Sequence, residues 1–347
     1  MRITKVDYII VGQGLAGSWL ALEMERRGLT FAVINEDKVK ISSKKAAGIY
    51  NPITGRKMIK TWRADQLFPS LEDEYRNIEN LTGKHFLHPI SIYRPFKSIE
   101  DQNDWGGKVA DESHRKFLKE MHAMSLGLTG VHDELGGIII NQSGYVNLPE
   151  MLLAVQNYLL NKGLYHSEVF DYERMELNSD SVNYKNYSAK KIIFCEGSLS
   201  NNPYWILPFK PVRGEIIDIT CDLKSKYIIN QGVFMIPKAD RFTVGSTYDH
   251  NNLCYEPQES GIKSLEERLK KLFSGRYEIL DKRAGVRPAT HDRKPYIGLH
   301  HKYKTLGIFN GFGTKGVSLA PHFAKHFVDV LQGKSEIDEE VHVQRVI

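Results

Sequence analysis

The sequence predicts an α/β chain, α+β overall. One parallel-stranded domain is assembled from separate stretches, and a second, mainly antiparallel domain is inserted into it. Three observations predict this. A strand–helix–strand pattern fills residues 6–34, with glycines at its first turn. Strand–turn–helix patterns return in the middle of the chain and at its end. Between them, from about 206 to 285, lie strand-like runs (GEIIDI, VFMIP, RFTVGSTY) with one helical interruption. A length of 347 residues suits two domains better than one core.

The elements follow in order. VDYIIV, residues 6–11, is short, β-branched and aromatic and is stopped by glycine, as a buried strand should be. Residues 15–27 read as a helix with apolar Leu15, Trp19, Leu22 and Met24, ended by Gly28. FAVI, residues 31–34, is a second buried strand. From about 80 to 140, polar and aromatic residues mix with turn signals (DWGG, ELGG), and no element is assigned there. NLPEMLLAVQNYLLNKG reads as a helix, with Asn147 as its N-cap, Glu150 three residues on and Gly163 as its stop. SAKKIIFCEGSLS is a strand ending in a small-residue turn. A helix of about 264–273 interrupts the later strands, and TLGIFNGFGTKGVSLAPHFAKHFVDVLQG closes the chain as strand, glycine turn and helix.

Hydrophobic content of 41% and charged content of 26% are those of a globular protein. The net charge of +5 is mild, and Lys and Arg are scattered (KKAAG, LKSK, RLKKLF, HHKYK), which argues against a dedicated nucleic-acid surface. Cys195, Cys221 and Cys254 show no CxxC or metal-ligand spacing and suit a reducing cytoplasm. The N-terminus lacks a signal-peptide pattern, and no apolar run approaches the roughly 20 residues of a membrane span. His300–His301 and His85/His88 have no third ligand at a suggestive spacing, so no metal is expected.

GQGLAG places Gly12, Gly14 and Gly17 in the G-x-G-x-x-G spacing, with Leu15 and Ala16 opening the helix. Gly12 allows the tight turn, Gly14 lets the backbone approach a pyrophosphate, and Gly17 lets helix and strand pack closely. The helix N-terminus offers N–H groups to the phosphates. With strand, helix and strand in the right order, this is a Rossmann-type dinucleotide fingerprint. The acidic residue that would hold a ribose falls at Asn35, with Glu36 and Asp37 beside it. Either Asn35 or Glu36 serves, or Glu36 and Asp37 simply face solvent. In ISSKKAAGIYNPITGRK, the small residues Ser42, Ser43, Ala46, Ala47 and Gly48 suit a backbone lying flat against a large planar ligand.

GQGLAG, ISSKKAAGIYNP, KIIFCEGS, AGVRPATHDRKPYIG and NGFGTKG, in that order, resemble the FAD-dependent oxidoreductases of the D-amino-acid-oxidase group. The motifs are most similar to glycine-oxidase members and to the oxidase half of the bifunctional tRNA wobble-uridine-modifying enzyme. The resemblance runs from Lys5 to about Leu331 and is loose over 80–140. It implies a non-covalent FAD with its pyrophosphate on the first glycines and its ring on Ser42, Ser43, Ala46, Ala47 and Gly48. Val169, in the HSEVFDY strand, matches a residue whose backbone meets the adenine. Cys195, Glu196 and Gly197 of CEGS would lie near the cofactor, Cys195 as a packing residue rather than a reactive thiol. Gly311, Phe312, Gly313, Thr314 and Lys315 match the loop over the pyrimidine end. There a helix N-terminus faces the negative charge of the reduced ring. Lys315 either adds charge there or is a solvated turn lysine.

The Arg of the matching G-x-R-P motif, here Arg287, would grip the substrate carboxylate through its two-pronged guanidinium. The structural alternative pairs it with Asp281 or Asp292. Tyr248, Tyr50 and Tyr296 are candidates to orient an amine, Tyr248 foremost. The implied division gives 1–80, 141–205 and 286–347 to FAD and 81–140 and 206–285 to substrate. The implied reaction oxidises the C–N bond of a small amino acid or N-substituted glycine. Hydride passes to flavin N5, the imine is hydrolysed, and O2 or another acceptor takes the electrons. Three alternatives stand: a tRNA-modifying oxidase acting on a carboxymethylaminomethyl group, a non-catalytic flavin electron carrier, and an NAD-dependent dehydrogenase. The last leaves NGFGTKG unexplained.

Overall fold

The computed structural model describes residues 3–36, 41–54, 59–198 and 202–347. Strand Thr4–Val11 lies at the centre of the first sheet. It runs parallel to Phe31–Asn35 on one side and to Tyr187–Phe194 on the other. Tyr165–Ser167 extends the parallel set beyond Phe31–Asn35, and Leu306–Asn310 extends it beyond Tyr187–Phe194. Parallel strands need cover on both faces, and alternation within YIIV supplies it. Ile10 and Val33 face the helices Leu15–Arg26 and Gly316–Leu331, while Ile9, Val11 and Ile34 face Tyr184, Trp205 and Tyr296. The first helix ends at Arg26, and Gly28 at φ +68° turns the chain.

The second sheet runs in the order Tyr277–Arg287, Val212–Cys221, Phe242–Gly245, Val233–Pro237, Ile228–Gln231, Ile92–Pro95, Gly137–Ile140, Leu118–His122. Every pairing is antiparallel except that of Ile228–Gln231 with Ile92–Pro95. The stretch 80–140 thus supplies three short strands of this sheet, together with the helices Ile99–Ala110 and Glu112–Arg115. Strands of four or five residues leave little periodicity to read.

Two local expectations change. The helix expected at 264–273 is Glu259–Lys270; it starts just after Pro257 and sets Ile262, Leu265 and Leu269 against the sheet. Asn147 stands at the N-cap, but its amide donates to Glu150 Oε2 (3.0 Å) rather than capping the backbone.

Candidate active site

A cavity of about 460 Å³ lies between the two sheets, lined by the glycine turn, residues 41–49, the CEGS turn, the C-terminal glycine turn and the facing strands of the second sheet. Its shape begins with three glycines that differ in what surrounds them. A Cβ on Gly17 would lie 1.9 Å from the Gly12 carbonyl oxygen, and one on Gly12 (φ +96°) would lie 2.7 Å from the Cys195 carbonyl oxygen. A Cβ on Gly14 would meet nothing closer than 3.7 Å. The protein itself therefore excludes side chains at 12 and 17, whereas at 14 the space belongs to the cavity. The helix that starts there has no cap from its own N-cap residue and no acidic residue in its first turn, and its first N–H, that of Leu15, donates to Ser43 Oγ (3.3 Å) across the cavity wall.

Asn35 is buried and occupied: its Oδ1 accepts from Gln13 N–H (2.8 Å) and its Nδ2 donates to Tyr165 OH (2.9 Å). It fastens the glycine turn to the sheet edge, and Glu36 lines the cavity beside it. Asp37 lies outside the described residues. Val169 lines the same end, but it is not in a strand: Tyr165–Ser167 ends first, and Val169 sits in the following loop, 61% exposed. Cys195 is buried, and burial with the neighbouring Glu196 charge pushes its thiol pKa up, which suits packing. Glu196 is held by Tyr172 OH and Asn202 Nδ2, and the Gly197 carbonyl accepts from Asn310 Nδ2 (3.0 Å).

Ser42, Ser43, Ala46, Ala47 and Gly48 all line the cavity; Gly48 (φ +74°) has no room for a Cβ, which would lie 1.9 Å from the Val146 carbonyl oxygen. From the C-terminal turn, Phe312, Gly313 and Thr314 line it, followed by Gly316 and Val317 at the start of the helix Gly316–Leu331. Gly311 shapes the turn at φ +83° without lining the cavity. Lys315 corrects both expectations for it. Its side chain neither lines the cavity nor lies in solvent; its Nζ reaches Thr54 Oγ1 and Thr61 Oγ1 (3.4 Å each), and burial pulls its pKa down to about 8.

At the opposite end, Arg287 enters the cavity. Its Nη2 donates to Ser246 Oγ (2.9 Å) and its Nη1 to the Thr247 carbonyl (3.4 Å), and its guanidinium carbon lies 4.9 Å from the Tyr248 ring centre. Among the described residues no carboxylate pairs with it. Asp281 goes to Arg283 (3.3 Å) and Asp292 to Arg345 (2.9 Å), so the structural pairing is not made. Burial lowers the pKa of Arg287, but a guanidinium stays charged. Tyr248 is exposed and lines the cavity; Tyr50 donates to Glu72 and Tyr296 to the Pro208 carbonyl, and neither reaches it.

The supports of Arg287 were not singled out from sequence. A Cβ on Gly214 would lie 2.2 Å from Arg287 Nη2, so this glycine is the bed for the guanidinium. Behind it, fully buried Glu215 takes Thr247 Oγ1–H (2.6 Å), Gln258 N–H (3.0 Å) and the Arg213 guanidinium (3.2 Å). The local signal was available in VRGEII and VGSTYD, two strand-borne motifs rich in small and polar residues.

The parallel sheet with its glycine turn, and the cation opposite, define a dinucleotide-cofactor oxidoreductase. The model of the DAO family, FAD dependent oxidoreductase, matches residues 7–330, and the chain belongs to that family. The cofactor of that family is FAD. Glycine oxidase of Pseudomonas aeruginosa is 23% identical over 365 residues, covering 95% of each chain. The bifunctional ThiO/ThiG protein of Trichormus variabilis is 25% identical over 357 residues, 95% of this chain and 53% of that one. The chain thus spans about half the length of that relative. The crystal structure of glycine oxidase from Geobacillus kaustophilus superposes with a TM-score of 0.76 at 19% identity, covering 99% of both chains. Among the described residues no helix is long and apolar enough to cross a membrane.

Proposed function

We propose that the protein oxidises the C–N bond of a small amino acid or N-substituted glycine, with Arg287 holding the substrate carboxylate. The carrying observation is a guanidinium inside the cofactor cavity, braced by Ser246, Thr247 and Tyr248 and lacking a carboxylate among the described residues. A fork of parallel donors matches a carboxylate, and the stacked Tyr248 ring fixes its plane.

The remaining residues fit FAD along the cavity. The amides at Gly14, Leu15 and Ala16 would hold the pyrophosphate, Glu36 the ribose, and the backbone at Val169 the adenine. Ser42, Ser43, Ala46, Ala47 and Gly48 with Phe312, Gly313 and Thr314 would hold the ring. Bound there, FAD would supply the hydride acceptor. Arg287 and Ser246 orient the substrate, and no histidine or carboxylate among the described residues lines the Arg287 end, so the amine enters neutral. Water then hydrolyses the imine product to a carbonyl compound and ammonia or an amine, and O2 or another acceptor reoxidises the cofactor. We read 1–80, 141–205 and 286–347 as the FAD part and 81–140 and 206–285 as the substrate part. The three free cysteines support a reducing, cytoplasmic setting.

Anaerobic titration of the purified yellow protein tests the reading. Amino acids and N-substituted glycines should bleach the flavin, and their decarboxylated counterparts should do so far less. Equal bleaching by acid and amine would defeat it.

A further inference from the structure

We propose that the Arg287 site selects a carboxylated amine bearing an apolar substituent, over glycine and over amines carrying a second carboxylate. This rests on Arg287 being the carboxylate anchor. Ile216 pairs with Gly245, and Gly245 pairs with Phe234, so the three stand side by side across three antiparallel strands. A Cβ on Gly245 would lie 2.4 Å from Ile216 Cγ2 and 2.7 Å from Phe234 Cζ: the two apolar side chains close over the glycine and make one wall. Both line the same cavity as Arg287, and Gly245 immediately precedes Ser246, which binds the guanidinium.

The spacing sets the size of the ligand. The guanidinium lies over Gly214, two residues before Ile216 on the same strand, hence about 7 Å away at the strand repeat. Gly214 pairs with Gly285, and Lys45 Cβ and Ser42 Cα lie 3.3 and 3.6 Å from where a Cβ on Gly285 would stand, so the segment from Ser42 to Lys45 bounds the space at the anchor end. The distance between anchor and wall takes a carboxylate, its α-carbon and a substituent of a few carbons.

Charge beside the wall is already paired within the protein. Arg283, in register with Ile216, is paired with Asp218 (2.6 Å), and Thr243 closes Asp218 from the other side (2.7 Å). None of these three lines the cavity. The lining carboxylates Glu36, Glu168 and Glu196 belong to the nucleotide end. Besides Arg287, the one cation lining the cavity among the described residues is Lys45, an exposed side chain whose stem sits beside Gly285. A second carboxylate against Ile216 and Phe234 would lose water without gaining a partner, and glycine would leave the wall uncovered.

The test uses the FAD-loaded enzyme and the series glycine, N-methylglycine, N-ethylglycine, both enantiomers of alanine and 2-aminobutanoate, and iminodiacetate. The kcat/KM should rise roughly tenfold or more per added carbon until the wall is filled, and iminodiacetate should fall below N-methylglycine. The nitrogen and α-carbon arms report which position carries the substituent. A binding readout independent of turnover is the perturbation of flavin absorbance: butanoate should bind more tightly than acetate, and malonate more weakly than both. Phe234→Ala should shrink the apolar advantage about tenfold, and Phe234→Arg should reverse the order of butanoate and malonate. A wild-type preference for glycine or iminodiacetate, the latter lost in Lys45→Met, overturns the proposal. So do unchanged ratios in both Phe234 variants. If no carboxylated amine reduces the flavin and no carboxylate perturbs it, the anchor reading itself fails and this inference with it.

Discussion

The two ends of the cavity are held by different physics. At the glycine turn, backbone shapes the site: at Gly12 and Gly17 carbonyl oxygens stand where side chains would go, whereas at Gly14 the space is open to the cavity. At the Arg287 end a side chain acts, and its position depends on residues spread from 213 to 287 that meet only across sheet pairings. The first is a local fact about excluded volume. The second is a long-range fact about who stands next to whom.

That contrast can be broken in graded steps. Gly17→Val should have the largest effect, because its Cβ would strike a backbone carbonyl that cannot swing aside. A loss on the order of 3 kcal/mol or more is expected, read as a fall in the denaturant midpoint of the apoprotein. Gly14→Val should keep that midpoint nearly unchanged yet give colourless protein, since it fills only cavity space. A folded, fully flavin-loaded Gly14→Val would falsify the cradle.

At the other end, Arg287→Lys should retain FAD and lose one to two powers of ten in kcat/KM on carboxylated amines, about 1–3 kcal/mol, because the charge stays and the fork goes. Arg287→Ala should lose more and narrow the gap between an amino acid and its decarboxylated amine. Flavin loss in both variants, with no change in that gap, would mark Arg287 as a scaffold residue. Gly214→Ala should be milder. Its Cβ displaces the flexible end of Arg287, so KM should rise about tenfold with kcat and thermal stability little changed.

The smallest effect concerns Lys315. Its folded pKa of about 8 lies below the ordinary 10.5, so between these values the unfolded chain binds more protons and stability rises with pH. Below pH 8 Lys315 is protonated in both states and its share of the slope vanishes. The full gain is at most about 3 kcal/mol, and Lys315→Met should flatten the slope in denaturant midpoints measured from pH 7.5 to 10.5 to the share left by Lys238, whose pKa burial lowers to about 7.

Legibility followed the same divide. GQGLAG, the small residues 42–48 and the C-terminal glycines were readable because an absent side chain at fixed spacing leaves a mark in a single segment. Arg287 was readable only as a choice between substrate and a structural pairing with Asp281 or Asp292. That neither carboxylate pairs with Arg287 depends on Arg283 and Arg345 engaging them, and nothing local encodes that. Lys315 was misjudged for a related reason. Thr54 and Thr61, more than 250 residues earlier, receive its amine, so its burial is invisible from NGFGTKG.

Local pattern by itself determined the parallel βαβ unit, the cradle and the α/β class, because strand burial, helix periodicity and glycine sterics act within about 30 residues. Tertiary structure alone decided that 80–140 joins the second sheet, that Asn35 braces the turn through Gln13 and Tyr165, and that Ile216 and Phe234 share a cavity with Arg287. Each of these turns on a cross-strand neighbour or a distant hydrogen-bond partner. Such partners are chosen by how sheets register and how side chains compete for one another, and that competition is settled only when the whole chain has closed.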